Sequence, residues 1–191
     1  MIAAVVLAAG RARRMGRPKL LLPLEGRPLV RHAVEAVRPH VDEVVVVVGP
    51  DTPELEAALR GPGVRLIRNP RPEDGQGTSI AVGVSALPPG TEAVLIALGD
   101  QPRLPAGVVP ALLAAWRRSG KAIAAPTYRG VQGTPVLFGA PVFDELRALR
   151  GDTGARSVVA ARPERVAYVT VDAPMPPDVD TPEDYARLHV E

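Results

Sequence analysis

Cysteine is absent from the 191 residues. That excludes disulfides, thiolate zinc sites and thiol nucleophiles, and the chain needs no oxidising compartment. Aromatics are nearly as scarce, one Trp, three Tyr and two Phe making up 3% of the chain. Single-stranded nucleic acid is held on interleaved aromatic platforms, which so few rings cannot supply. Lysine occurs only at positions 19 and 121, all other bases being arginine, and the formal net charge is only +2. So small a summed charge gives no argument for DNA, and no nucleic-acid partner is expected. The longest apolar opening run, residues 2–9, has no basic segment before it. It falls far short of the ~18 residues of a membrane span. Neither a signal peptide nor a membrane anchor is expected, and the expected location is cytoplasmic.

What is present suits one globular domain. Hydrophobic residues make up 46% and charged residues 23%, enough apolar side chain to bury a core, and the length matches a single domain of roughly 100 to 200 residues. Short β-branched runs at 2–8, 43–48, 64–67, 93–98, 122–125, 135–138 and 166–169 alternate with helical patterns at 29–38, 53–60, 78–87, 106–119, 141–149 and 182–189. That alternation predicts an α/β protein with a mostly parallel sheet. The five consecutive valines Val44 to Val48 carry no polar alternation, which predicts a central strand covered by helices on both faces. Most of the 22 prolines and 18 glycines fall between these segments as turn punctuation.

The informative stretch follows the first strand, at Leu7, Ala8, Ala9, Gly10, Arg11, Ala12, Arg13, Arg14, Met15, Gly16, Arg17, Pro18 and Lys19. In an open α/β sheet the ligand crevice lies at the carboxyl ends of strands, where this loop sits. Gly10 and Gly16 are six apart and Lys19 comes three later, so this is neither a P-loop nor a dinucleotide fingerprint. It reads as a glycine-bounded loop whose amides, with Arg14 and Lys19, surround a polyphosphate. The plain alternative is a solvated basic turn. Five cations within nine positions repel one another unless an anion or water relieves them.

The run LAAGRARRMGRPKLLLPLEGRPL at 7–29 resembles the signature of nucleotidyltransferases that move a nucleoside monophosphate onto a phosphate-bearing acceptor. Within them the chain most resembles the molybdenum cofactor cytidylyltransferases, relatives of the corresponding guanylyltransferases. The likeness continues, in family order, through Gly75, Gln76, Gly77, Thr78, Ser79 and Ile80; Gly99, Asp100, Gln101 and Pro102; Gly151 to Arg156; and Asp178 to Asp184. It implies a single-domain, Rossmann-like three-layer α/β/α fold of the nucleotide-diphospho-sugar transferase type over residues 1–191. The nucleotide would lie mainly over 1–105 and the acceptor mainly over 106–191.

The same likeness implies a reaction. CMP would pass from CTP to the phosphate of molybdenum-bound molybdopterin, releasing pyrophosphate, with Mg²⁺ as cofactor. A transient contact with a molybdoenzyme of the xanthine dehydrogenase type is also implied. Leu7, Ala8, Ala9, Gly10, Arg11, Lys19, Gly75, Gly77, Thr78 and Ser79 would bind the nucleotide, and Lys19, Arg14 and Asp100 would carry catalysis. Asp100 and Asp180 would hold the metal, with Asp178 in reserve, while Gly133, Thr134 and Arg156 would face the acceptor. Ala12 stands where the family commonly has Ser or Gly, removing a hydroxyl contact, and Thr134 replaces a frequent His on the acceptor side.

Residue chemistry bears on each assignment. A carboxylate after a strand is the hard oxygen ligand Mg²⁺ takes alongside water and substrate phosphates, but it is as readily a turn former. Asp180, Thr181, Pro182, Glu183 equally reads as a helix start. Thr78 and Ser79 suit an N-cap without any ligand, and Gly151 to Arg156 suits a plain helix-start loop. His32, His40 and His189 lie outside the signature loops, with surface or packing roles expected. An acceptor phosphate, with its second pKa near ~6, is already a dianion at pH 7 and needs no general base. Two alternatives stay open: the same fold acting on a sugar, polyol or lactyl phosphate, and a non-catalytic nucleotide-binding regulator. Against the isoprenoid cytidylyltransferases, whose aspartate motif typically reads Asp-Ala-Ala-Arg-Pro, stands Gly99, Asp100, Gln101, Pro102.

Overall fold

A computed structural model describes residues 1–10, 18–50 and 52–189. In chain order the elements are β1 (Ile2–Ala8), β2 (Pro23–Leu24), β3 (Arg27–Pro28), α1 (Leu29–Val37), β4 (Glu43–Val48), α2 (Pro53–Leu59), β5 (Val64–Arg68), α3 (Gln76–Ser85) and β6 (Ala93–Leu98). There follow α4 (Val108–Ser119), β7 (Ile123–Tyr128), β8 (Val131–Gln132), β9 (Val136–Gly139), α5 (Phe143–Arg147), α6 (Arg156–Ala161), β10 (Val166–Val171) and α7 (Pro182–Arg187).

The main sheet runs β10-β7-β9-β6-β1-β4-β5, with β8 paired to β7. β5, β4, β1 and β6 are mutually parallel, as are β7 and β10; β9 runs antiparallel between β6 and β7. The expected mostly parallel α/β/α domain is the one observed. Because side chains alternate across a strand, the sheet feeds two cores. One packs Ala4, Val6, Val46 and Leu95 with Val34, Leu59 and Leu112 of the helices. The other packs Val5, Val45 and Val94 with Ile80, Val84 and Leu146.

Val44 to Val48 are fully buried, as expected of a strand covered on both faces. The strand is not central, however: it lies next to the edge strand β5. Burial of both faces requires only helices above and below, which a position one in from the edge also receives.

From β1 the chain goes to β4 and β5 on one side, then crosses to β6 on the other. The carboxyl ends of β1 and β6 therefore flank a topological switch point, where open α/β sheets bind ligands. Gly99 closes β6 against β1: its amide donates to the Leu7 carbonyl at 2.9 Å. A Cβ at this position would lie 2.9 Å from the same oxygen, so the approach needs glycine.

A third, small cluster ties the C-terminal segment to the β2–β3 hairpin through Leu22, Leu24, Leu29, Val179 and Leu188, with Tyr185 against it. Helix α7 starts on a capping box, Thr181 accepting from the Asp184 amide while the Asp184 carboxylate accepts from the Thr181 amide. Pro182 occupies the first turn, where its missing N–H costs nothing.

Candidate active site

Lys19 opens a short 3₁₀ turn, Lys19–Leu21. The neighbouring Leu20 drops into the core, which fixes the backbone and leaves the lysine side chain running along the crevice floor, only 10% exposed. Its Nζ donates to Asp100 Oδ2 at 2.7 Å and to Asp180 Oδ1 at 2.7 Å. Asp100 sits in the turn after β6. Asp180 is brought opposite by Val179, which is fully buried and whose amide donates to the Asp100 carbonyl at 3.1 Å. Three segments far apart in sequence thus converge on one ammonium.

The electrostatics follow from that convergence. Burial alone would lower the Lys19 pKa, but the Asp100 carboxylate and then Asp180 outweigh it and hold the ammonium above its ordinary value. Asp178 moves up from the usual carboxylate range, chiefly through burial and then through the Asp100 charge, while the Gln101 hydrogen bond opposes both.

Two cavities meet at Asp178. One, of about 560 Å³, is lined by Leu7, Ala8, Ala9, Gly10, Lys19, Gly75, Gln76, Ser79, Asp100, Asp152, Asp178 and Asp180, among others. The second, of about 280 Å³, is lined by Gly133, Thr134, Gly154 and Arg156 and shares Leu7, Gln76, Leu98, Asp152 and Asp178 with the first. The β1 loop, Lys19 and both metal candidates therefore border one cavity, and the three acceptor candidates border the other. Arg11 and Arg14 lie outside the described residues.

Several expected residues have structural partners. Helix α3 starts at Gln76, two residues before the expected start at Thr78, because Gly75 acts as N-cap with φ +98°. A Cβ there would stand 2.1 Å from the Gly151 carbonyl carbon. The Gly77 amide donates to the Gly151 carbonyl at 2.8 Å, so the two loops read as nucleotide-side and acceptor-side are packed together. Gly77 and Thr78 do not border the larger cavity. Thr78 donates to the Gly75 carbonyl at 2.8 Å, and Asn69 Nδ2 donates to both Thr78 and Ser79. The loop before Arg156 does lead into a helix, α6, which the six expected helices omit. At 178–184 the helix-start reading falls to Thr181, Pro182 and Asp184, leaving the Asp180 side chain to Lys19.

Gln101 has no role that its sequence motif alone assigns. It is buried: its Nε2 donates to Asp178 Oδ1 at 2.7 Å and its Oε1 accepts from the Thr134 hydroxyl. Thr134 therefore orients an amide that holds Asp178 between the cavities. Gln76 and Asp152, which border both cavities, likewise have no role that the sequence alone assigns. An amide directly after a carboxylate at a strand end was the only signal for Gln101. His32 accounts for itself elsewhere, its Nε2 lying 2.7 Å from the Leu24 carbonyl, and His189 meets the edge of Tyr185.

The donor set suits a hard divalent cation. Asp100 Oδ2 and Asp180 Oδ1 both lie 2.7 Å from the Lys19 ammonium, and among the described residues no group of three or more His, Cys, Asp or Glu side chains is arranged to hold a metal. A cation here would take its other ligands from water and substrate phosphates, as Mg²⁺ usually does.

Residues 4–171 match the MobA-like NTP transferase domain. The chain belongs to that family. Purine catabolism protein PucB of Bacillus subtilis is 32% identical over 95% of this chain and 92% of its own length. Nicotine blue oxidoreductase of Paenarthrobacter nicotinovorans is 32% identical over 98% and 96%. The 2-C-methyl-D-erythritol 4-phosphate cytidylyltransferase of Streptomyces avermitilis is 33% identical over 94% and 70%. Among solved structures, Rv0371c of Mycobacterium tuberculosis superposes with a TM-score of 0.88 at 29% identity, covering 100% of this chain and 98% of that one. Its complex with manganese gives 0.84 at 28% identity over 98% and 97%. The chain is thus a nucleotidyltransferase of the MobA-like family. Among the described residues no helix is long and apolar enough to cross a membrane.

Proposed function

We propose that the protein transfers CMP from CTP to the terminal phosphate of a molybdopterin-type acceptor. The observation that carries this reading is the meeting of Lys19, Asp100 and Asp180 at 2.7 Å contacts on the cavity bordered by Leu7 to Gly10, which adjoins a second cavity through Asp178 and Asp152. One cavity is bordered by Leu7 to Gly10, and the other, bordered by Gly133, Thr134 and Arg156, would take the acceptor. An acceptor phosphate oxygen attacks the α-phosphorus, and the bond to pyrophosphate breaks in line.

The phosphate dianion is its own nucleophile; what the step needs is positioning and charge stabilisation. Asp100 and Asp180 would hold Mg²⁺, which when bound neutralises charge on the leaving pyrophosphate. The manganese complex of Rv0371c supports a divalent ion in this fold. Lys19 donates to the triphosphate, and the backbone of Leu7 to Gly10 walls the base and phosphates. Thr134 and Gln101 hold the Asp178 carboxylate between the two cavities, and Arg156, at the start of α6, borders the second cavity, where it would meet an anionic acceptor.

The choice of cytosine rests on Ala9, which is buried and borders the larger cavity. The guanylyltransferases it resembles typically have Gly at this position. An added methyl that clashes costs ~1 to 3 kcal/mol, a discrimination of roughly 10- to 200-fold against a purine. CTP should therefore exceed GTP in kcat/KM, and Ala9→Gly should narrow the gap. A natural preference for GTP would overturn the base assignment.

The Streptomyces relative's name favours one second reading, a polyol phosphate acceptor; the Asp-Gln-Pro run after Gly99 argues against it. A pyrophosphate-release screen decides, crossing CTP, GTP and ATP with molybdenum-bound molybdopterin and 2-C-methyl-D-erythritol 4-phosphate. Release with CTP and the pterin supports the proposal, and release with the polyol phosphate alone replaces it.

A further inference from the structure

The geometry points to Lys19 as the occupant that keeps the divalent-cation position closed until substrate phosphate draws the ammonium away. The inference rests on the proposed role of Asp100 and Asp180 as the cation's protein ligands. It concerns when those ligands become free, whatever acceptor follows.

Lys19 Nζ lies 2.7 Å from one oxygen of each carboxylate. A Mg²⁺ bridging the same two oxygens would stand about 2.0 to 2.1 Å from each, so ion and ammonium would claim overlapping volume. Their like charges also repel at that separation. The lysine is not loosely placed: its side chain is only 10% exposed. Leu20 beside it is buried in the core, and the Leu21 and Leu22 amides close the turn on Pro18 and Lys19 at 3.1 Å each.

A free cation has little to offer against this arrangement. Among the described residues no third carboxylate or imidazole completes its shell, so it would displace a paired ammonium for two ligands only. A triphosphate changes both sides of the balance. Its oxygens accept the Lys19 protons, and the same phosphates supply the missing cation ligands. The cation therefore enters with the nucleotide or after it, and the carboxylates, paired with Lys19 in the meantime, are never left to repel each other.

The test uses the full chain with neither nucleotide nor acceptor, so its failure is separate from failure to find a substrate. Free Mn²⁺ is followed by electron paramagnetic resonance while the protein is titrated. Wild type should bind weakly, Lys19→Met should bind on the order of tenfold more tightly or better because a nearby positive charge is gone, and Lys19→Met combined with Asp100→Asn should lose the gain. Equal affinity in wild type and Lys19→Met, or a gain that survives in the double variant, would overturn the inference. A wild-type measurement stands beside it in case Lys19→Met fails to fold. Lysine occurs only at 19 and 121, so ¹³Cε-lysine labelling gives two NMR signals, assigned with Lys121→Arg. Millimolar Mg²⁺ alone should leave the Lys19 signal in place; a shift with Mg²⁺ alone would overturn the inference.

Discussion

Val179→Ala separates the packing of the site from its chemistry. Val179 is fully buried among Leu22, Leu24, Leu29 and Leu188, and it lies between Asp178 and Asp180 without contributing a polar group to either cavity. Removing two methyl groups costs ~1.6 kcal/mol in transfer free energy, and the residual cavity raises the total to about 2 to 3 kcal/mol. For a domain of this size each kcal/mol moves the melting temperature by roughly 2 to 4 °C, so the midpoint should fall by about 4 to 12 °C. At 25 °C the variant should still be folded. Its turnover should nevertheless drop, because Asp180 reaches Lys19 only while Val179 anchors the segment, and ~1 Å of misplacement in such a site can cost up to 10²-fold. Scanning calorimetry and steady-state pyrophosphate release measure the two effects on one sample. An unchanged melting temperature would refute the packing argument. A lowered midpoint with wild-type turnover would refute the claim that the cluster positions Asp180.

Asp100→Asn should preserve the fold and lower turnover by about 10² or more, because it weakens the hold on a charge-stabilising metal; Lys19→Ala should lose a comparable ~10² to 10³ through a missing donor. Near-normal pyrophosphate release in either would sink the catalytic assignment. CTP with Mg²⁺ at about 100 times its dissociation constant should stabilise the fold by ~2.7 kcal/mol, roughly 5 to 10 °C in melting temperature, and no shift with any nucleotide would return the β1 loop to a plain basic turn. The Asp184 carboxyl is held at about 2 by the Thr181 hydroxyl, the Asp180 and Thr181 amides and Arg187. Its folded value lies below the unfolded one, so the cap's contribution is whole above about pH 4 and fades as pH falls from 4 through 2. Asp184→Asn should flatten stability across that window, and an unchanged acid limb in calorimetric melts would contradict the capping role.

Much of this was legible because local signals agreed with the global fold. All seven expected strands and all six expected helices are present, since β-branched runs and prolines fall where the sheet and its turns need them. The limits have physical causes. The antiparallel direction of β9 depends on pairing with β6 and β7, which no local periodicity reports. Helix α6 is only six residues long and offers less than two turns of apolar spacing. Lys19, Asp100 and Asp180 could each be singled out along the chain, but their shared contact spans 161 positions. It depends on Val179, an apolar residue carrying no chemical signal. Lys19 was expected to face phosphate; in the structure its partners are two carboxylates. Gly75 and Gly77 carry a family motif, and their nearest neighbours are the backbones of Gly151 and Arg150, a close approach that a motif cannot reveal.

The central claim is that nucleotidyl transfer takes place where Lys19, Asp100 and Asp180 meet. ³¹P NMR of the purified protein with CTP, Mg²⁺ and molybdenum-bound molybdopterin tests it most directly, with Asp180→Asn run in parallel. The account predicts pyrophosphate and a new phosphoanhydride resonance appearing together in wild type, abolished by EDTA and strongly slowed in the variant. Transfer that proceeds unchanged in EDTA or in Asp180→Asn, or CTP that stays intact in wild type, would contradict it.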